Sequence, residues 1–261
     1  MPRAAVLGCP IAHSLSPALH RAAYTALGLS GWAYDAVECD EATLPGFLAG
    51  LDAEWVGLSL TMPLKRAVLS HVDTTSDLAV AVGAANTVLL SGAGRHADNT
   101  DVGGITDVLS GADLSDPVVL GAGGTAAAAV GALRQSGTGA VTVVVRERTR
   151  ARELLAAADR LGVSVRLARW PAVPVTATLV VSTVPRGAAD LLVTHPWRAG
   201  TTVIDVLYRP WPTPLARAAV QAGARVVGGR ELLLHQAARQ VRLMTGREAP
   251  LAAMRAALPS G

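Results

Sequence analysis

The stretch "VVLGAGGTAAAAVGALRQSG", residues 118–137, decides the fold. A β-branched run, a glycine turn and an alanine-rich segment follow without a break. They predict a strand, a tight turn and a buried helix ended by Gly137. Gly121, Gly123 and Ala126 take the G-x-G-x-x-A spacing, with Gly124 and Thr125 completing the turn. At such a turn the first glycine permits the bend and the second lets a pyrophosphate approach the backbone. The alanine lets helix and strand pack closely, and the helix N-terminus offers an anion site. Strand before and helix after are the context that makes this a dinucleotide-binding turn.

Working outward, "AVTVVVR" (140–146) reads as a second strand and "ARELLAAADRLG" (151–162) as a helix. "ATLVVSTVP" (177–185) and "TTVIDVLY" (201–208) read as further strands. Arg146, Arg148 and Arg150 follow the second strand, where an NADP site wants arginine for the 2′-phosphate. Glu147 stands among them and would suit NAD if the strand ran one residue further. NADP is the cofactor expected. Towards the N-terminus an earlier rhythm runs strand "AAVLG" (4–8), loop "CPIAHSLSP" (9–17), helix "PALHRAAYTALGL" (17–29), with Ser16 at the cap position. Then come strand "WAYDAVEC" (32–39), helix "EATLPGFLAGL" (41–51) and strand "WVGLSL" (55–60). Thr61-Met62-Pro63 turns into a helix that carries Lys65. The closing segment, 231–257, reads as helical and able to return to the first domain.

Strands alternating with helices predict α/β architecture with mostly parallel sheets. Two such rhythms predict two domains. One covers residues 1–103, completed by C-terminal helices in 230–261; the other is a Rossmann-type domain over 104–229.

The chain has 261 residues, 51% hydrophobic and 16% charged, enough for a large buried core. With one Phe, three Tyr and five Trp, that core must be built from Ala, Val and Leu. The net charge of +3 is small and spread without aromatic interleaving, which argues against nucleic acid. Cys9 and Cys39 make neither a metal-ligand spacing nor a disulfide framework, so no metal is expected and a reduced, cytoplasmic setting is. The longest uncharged run, 117–133, holds four glycines and makes a poor membrane span, so no membrane partner is expected. One residue type is conspicuous. Lys65 is the single lysine, beside 22 arginines.

"GCPIAHSLSPALH", "GLSLTMPLK", "GAANT", "ADNTD", "GAGGTA", "DVLYRPWPTPL" and "GRELLLHQA" together resemble shikimate dehydrogenase in order and spacing. The resemblance runs from Gly8 to about Ala237. It implies NADP-dependent reduction of 3-dehydroshikimate to shikimate, on the route to chorismate and the aromatic amino acids. It also implies a substrate-binding first domain, a cofactor-binding second domain and a reaction in the cleft between them. A homodimer is compatible with it.

The residues then take roles. Ser14 and Ser16, in a loop entering a helix, match the serines that hold the substrate carboxylate, and hydroxyls with nearby N–H groups suit an anion. Thr61, Asn86 and Asp101 supply donors and acceptors for a polyhydroxylated ring. Asn86 and Asp101 lie in turns expected to follow strands; on residue type alone each is a turn former. Gln236 and Tyr208 match positions near substrate, and Thr183 and Gly228 match positions beside the nicotinamide. Ser59 stands where many members have asparagine, with shorter reach and one donor fewer.

Hydride transfer to a ketone makes an alkoxide that needs a proton. An ammonium can give one, because burial and neighbouring charge tune its acidity; a guanidinium stays charged. Lys65 is therefore read as general acid in reduction and base in oxidation, oriented by Asp101. The rival reading is a quinate or dual quinate/shikimate dehydrogenase using NAD or NADP.

Overall fold

The computed structural model describes residues 1–259. The chain divides into two compact units, Met1–Gly104 with the segment from Leu233 onward, and Ile105–Leu232. No helix among the described residues is long and apolar enough to cross a membrane.

The first unit begins with β1 (Arg3–Gly8), α1 (Ser16–Ala26), β2 (Ala33–Glu38), α2 (Leu44–Ala49), β3 (Trp55–Leu60) and α3 (Leu64–Ala67). It continues with β4 (Thr74–Thr75), α4 (Asp77–Val82), β5 (Thr87–Ser91), β6 (Gly94–Asp98) and the start of α5 (Thr100–Val108). Most of α9 (Gly229–Thr245) and all of α10 (Leu251–Ala256) complete it. The strands form one sheet in the order β2-β1-β3-β5-β6-β4.

Side chains alternate across a strand, and β1 shows what that does here. Ala5 and Leu7 join Leu44, Leu48 and Leu64 on one face, under α2 and α3. Ala4 and Val6 join Tyr24 and Tyr34 on the other. A further apolar cluster, Leu19 and Ala23 with Leu234, Ala237, Val241 and Met254, locks α1 against α9 and α10. These contacts place α9 from Leu233 and α10 in this unit.

A mostly parallel sheet is the expectation, and three of the five pairings are parallel: β1–β2, β1–β3 and β4–β6. The β3–β5 and β5–β6 pairings are antiparallel, so the sheet is mixed. Ser91 pairs with Gly94, leaving only Gly92 and Ala93 as the connection. So short a link can join only antiparallel strands.

The second unit holds β7 (Pro117–Leu120), α6 (Gly124–Gln135), β8 (Ala140–Val145), α7 (Arg152–Arg160) and β9 (Ser164–Arg169). Then follow β10 (Leu179–Ser182), β11 (Thr202–Asp205), α8 (Pro214–Gln221) and β12 (Arg225–Gly228). Its sheet runs β12-β11-β10-β7-β8-β9, parallel throughout. From β7 the chain winds outward through β8 and β9, then returns to the other side of β7 for β10 to β12. This is the doubly wound Rossmann order, whose ligand crevice opens at the strand C-termini where the winding reverses. Residues Ala126–Leu133 of α6 are buried without interruption, as an all-apolar helix requires.

Candidate active site

In the second unit, β7 ends on Leu120 and the chain bends at Gly121, whose φ is +102°. That is left-handed backbone, open to glycine and strained for other residues. A Cβ at Gly121 would also lie 2.8 Å from Thr183 Oγ1, a hydroxyl that donates to Leu120 O at the tip of β10. Gly123 caps α6 and has nothing within 4 Å of where a Cβ would project. Gly124 and Thr125 form the first turn of the helix, and Ala126 is buried. The bend and the open approach to backbone N–H groups fit a pyrophosphate.

At the end of β8, Arg146, Glu147, Arg148 and Arg150 are all exposed. Glu147 Oε2 lies 3.9 Å from Arg150 Nε, so the one acid has its own cation, while Arg146 and Arg148 flank it. The donor set suits a 2′-phosphate better than a ribose diol. Gly228 ends β12 under the Trp211 indole, whose carbon atoms would lie 2.7 Å from a Cβ there. Tyr208 is half-buried just after β11, in this second unit, and burial raises its hydroxyl above the ordinary value.

The first unit gathers most of the remaining candidates. Lys65 Nζ donates to Asp101 Oδ2 at 2.5 Å, with side chains 18% and 9% exposed. Lys65 is placed by α3, and its carbonyl accepts the Ala85 N–H at 2.7 Å, tying α3 to the segment before β5. Asp101 is placed by α5. Asn99, just before that helix, accepts the Val102 N–H and so serves as its N-cap. Asn99 Nδ2 in turn donates to Ala84 O, which binds the two functional turns together.

Asn86 joins them. Its Nδ2 donates to Asp101 Oδ1 at 2.8 Å and to Gln236 Oε1 at 3.1 Å. Its Oδ1 accepts the Thr100 N–H at 2.7 Å and the Thr87 hydroxyl at 3.0 Å. A backbone N–H only donates, so it fixes which end of the amide is oxygen. The Thr100 hydroxyl lies within reach of both ends, 2.9 Å from Nδ2 and 3.1 Å from Oδ1. Gln236, on α9, donates back to Leu233 O. Asn86 directly precedes β5 instead of following a strand as expected, whereas Asp101 does follow β6. The difference comes from α4 and its left-handed Gly83 cap, which deliver the chain to β5 from a helix.

Two other expectations shift. Ser16 is the first residue of α1, not its cap: Leu15 holds the cap position with no side-chain bond. Pro17 in the first turn has no N–H to be satisfied. The hydroxyl that accepts an N–H there belongs to Ser14, 3.3 Å from Ser16 N. Ser14 is half-buried and Ser16 is 5% exposed. Thr61 is half-buried at the end of β3.

Ser59 is set deeper than a ring-hydroxyl contact requires. At 3% exposure it accepts the Tyr34 hydroxyl at 2.6 Å and donates to Gln240 Oε1 at 2.8 Å. Its only proton is therefore spent inside the fold. Thr87, Gln240, Tyr34 and His20 escaped sequence reasoning. A usable signal was present in α9, where Gln240 follows Gln236 by one turn on a face otherwise held by Leu234, Ala237 and Val241.

Two family models match the chain. They are the shikimate dehydrogenase substrate binding domain over residues 6–88 and the shikimate 5'-dehydrogenase C-terminal domain over residues 229–258. A curated relative from Halobacterium salinarum, shikimate dehydrogenase (NADP(+)), is 39% identical over 263 residues, covering 97% of each chain. The crystal structure of Mycobacterium tuberculosis shikimate dehydrogenase superposes with a TM-score of 0.89 at 44% identity, over 98% of both chains. Thermus thermophilus shikimate 5-dehydrogenase, solved with NADP(H) and shikimate, superposes at 0.84 and 36% identity, again over 98% of both. Likeness at this level spans both units, and the chain belongs to the shikimate dehydrogenase family.

Proposed function

We propose that this protein is an NADP-dependent shikimate dehydrogenase, reversibly reducing 3-dehydroshikimate to shikimate. The first unit takes the substrate and the second takes the cofactor. The observation that carries this reading is the ion pair of the only lysine, Lys65, with Asp101, held by the Asn86 amide in a chain of this family.

Bound NADPH supplies the hydride to the carbonyl carbon. Lys65 Nζ has three protons and gives one hydrogen bond to Asp101; another proton passes to the oxygen that receives the developing negative charge. In oxidation the neutral amine takes that proton back. Asp101 holds the ammonium on its carboxylate and accepts the neighbouring substrate hydroxyl. Asn86, Thr61 and Gln236 fix the ring through its other hydroxyls, and Ser14 and Ser16 hold the carboxylate beside the start of α1. Gly121, Gly123 and the first turn of α6 take the pyrophosphate, Arg146 and Arg148 the 2′-phosphate, and Thr183 and Gly228 border the nicotinamide, with Tyr208 on the substrate side. A cytoplasmic location is in keeping with two unpaired cysteines and no membrane-length apolar helix among the described residues.

The test is the Ser14→Ala, Ser16→Ala pair. Each is expected to raise KM for shikimate about 10-fold or more, the cost of a lost hydrogen bond to a charged group, with KM for NADP unchanged. Unaltered KM for shikimate in both would remove the serines from the carboxylate site.

A further inference from the structure

A single line of hydrogen-bond donors runs from the interior of the first unit to Asp101, and only its last two residues, Asn86 and Asp101, are given a part in the proposed reaction. Tyr34 Oη donates to Ser59 Oγ, and Ser59 Oγ donates to Gln240 Oε1. Gln240 Nε2 donates at 3.0 Å both to the Asn86 carbonyl and to Thr87 Oγ1. Thr87 Oγ1 donates to Asn86 Oδ1, and Asn86 Nδ2 donates to Asp101 Oδ1.

The direction of the line is set by chemistry. A carbonyl oxygen only accepts, so the side of Gln240 that faces Asn86 O must be its nitrogen. Its oxygen must then accept from Ser59, which leaves Ser59 to accept from Tyr34. His20 Nε2, 3.3 Å from the same Gln240 oxygen, must be the protonated ring nitrogen, and its buried Nδ1 has no hydrogen-bond partner among the described residues. Tyr34, Ser59, Gln240 and Thr87 are each no more than 3% exposed, so water does not compete for these bonds.

We propose that Gln240 and Thr87 are positioning residues for the reaction. Together with the Thr100 N–H they hold the Asn86 amide with its nitrogen toward Asp101, so that the carboxylate keeps one oxygen for Asn86 and turns the other to Lys65. Gln240 fixes the backbone at Asn86 and aims the Thr87 hydroxyl; Thr87 donates to Asn86 Oδ1 beside the Thr100 N–H and the Thr100 hydroxyl. Buried donors aligned head to tail strengthen one another. Without the Thr87 hydroxyl, Asn86 Oδ1 keeps the Thr100 N–H at 2.7 Å and has only the Thr100 hydroxyl, at 3.1 Å, as a second donor, so the amide is held less firmly. Ser59 thereby acquires a role at this position other than substrate contact.

The inference rests on the proposed dehydrogenase reaction, and the test keeps the two apart. Thr87→Val keeps the volume and removes the hydroxyl; Thr87→Ser keeps the hydroxyl and removes a methyl. Gln240→Met is the companion that removes the amide. With shikimate and NADP, Thr87→Val and Gln240→Met are expected to lower kcat about 10-fold or more while KM for NADP stays within about twofold. Thr87→Ser is expected to recover most of kcat. A role in packing alone predicts the reverse order for the two Thr87 variants. Should Gln240→Met not fold, the Thr87 pair decides.

Wild-type kcat in Thr87→Val, or equal losses in Val and Ser, would overturn the proposal. If the wild-type protein does not turn over shikimate, the reaction assignment fails instead. The positioning claim is then read from the Asn86 side-chain amide protons by NMR. Slow solvent exchange in wild type and Thr87→Ser, with fast exchange in Thr87→Val, upholds it; equal exchange in all three overturns it.

Discussion

Lys65 and Arg66 are neighbours on α3, both half-buried, and only the ammonium suits proton transfer, since a guanidinium stays charged. Lys65→Arg keeps the charge opposite Asp101 and removes the removable proton. It is expected to lower kcat by at least about 100-fold, in the range general acid–base groups contribute, while the Kd for shikimate changes little. Steady-state kinetics with an equilibrium binding measurement separates the two quantities; near-normal turnover would take Lys65 out of the mechanism. At the second site, Arg146→Ala with Arg148→Ala is expected to raise KM for NADP at least about 10-fold, because charge-assisted contacts to phosphate are among the stronger hydrogen bonds. KM for NAD should remain as it was, and equal rises for both cofactors would place the 2′-phosphate elsewhere. Lys65 was legible because its chemistry is rare in this composition, and the glycines because their spacing is tied to backbone geometry. Ser59 was not. A serine in an apolar strand gives no sign of whether its hydroxyl faces solvent or a glutamine 181 residues later in the chain.

The elements that carry these side chains meet at close quarters. Gly104 of α5 lies against α9, where a Cβ would come within 2.9 Å of Gln236 N and 3.0 Å of its Cβ. Gly104→Ala is therefore expected to destabilise the protein by about 1–3 kcal/mol, the usual cost of overpacking. It should also reduce kcat, because the displaced backbone carries Gln236. Denaturant unfolding and kinetics on one preparation check both, and a variant as stable as wild type would show that the helices yield freely.

On α1, His20 is fully buried and stacked on Tyr34 with ring centroids 3.9 Å apart. Desolvation holds its pKa down at about 3, against an ordinary 6.5, with only the Gln240 contact opposing. As pH falls from 6.5 towards 3 the unfolded chain takes up a proton that the folded chain refuses, so stability is complete above this window and lost within it. Between pH 7 and pH 5 the wild type should lose about 2 kcal/mol more than His20→Phe, at roughly 1.4 kcal/mol per pKa unit. Parallel pH dependences of unfolding would contradict a neutral buried His20. Strands and helices with strong periodicity were readable, including β3 and α6. The β5–β6 hairpin was not, because "TVLLSGAGRHAD" has a turn signal but lacks the alternation that marks a half-buried pair. Ser16 shows the same limit at a helix boundary, where proline and serine fit either of two adjacent positions.

At the scale of the whole chain, two α/β rhythms in the sequence have their counterpart in two sheets of different character. One is mixed and carries the Lys65–Asp101–Asn86 constellation; the other is all parallel and carries the glycine turn. Rossmann winding was legible because each β-α step leaves a local signature. Placement of α9 and α10 with the first unit was expected; the contacts that make it, with α1 more than 200 residues distant, are not named by the amphipathic pattern of the helix. Quinate differs from shikimate at the carbon bearing the carboxylate, so under the proposed assignment the serine loop and the arginines after β8 are where substrate and cofactor choice would be read. The direct measurement is a steady-state assay of the purified protein that crosses shikimate and quinate with NADP and NAD, followed by the near-ultraviolet absorbance of reduced nicotinamide. Strong turnover with shikimate and NADP, and little with the other three pairs, is the predicted result. Comparable turnover with quinate or with NAD would contradict it.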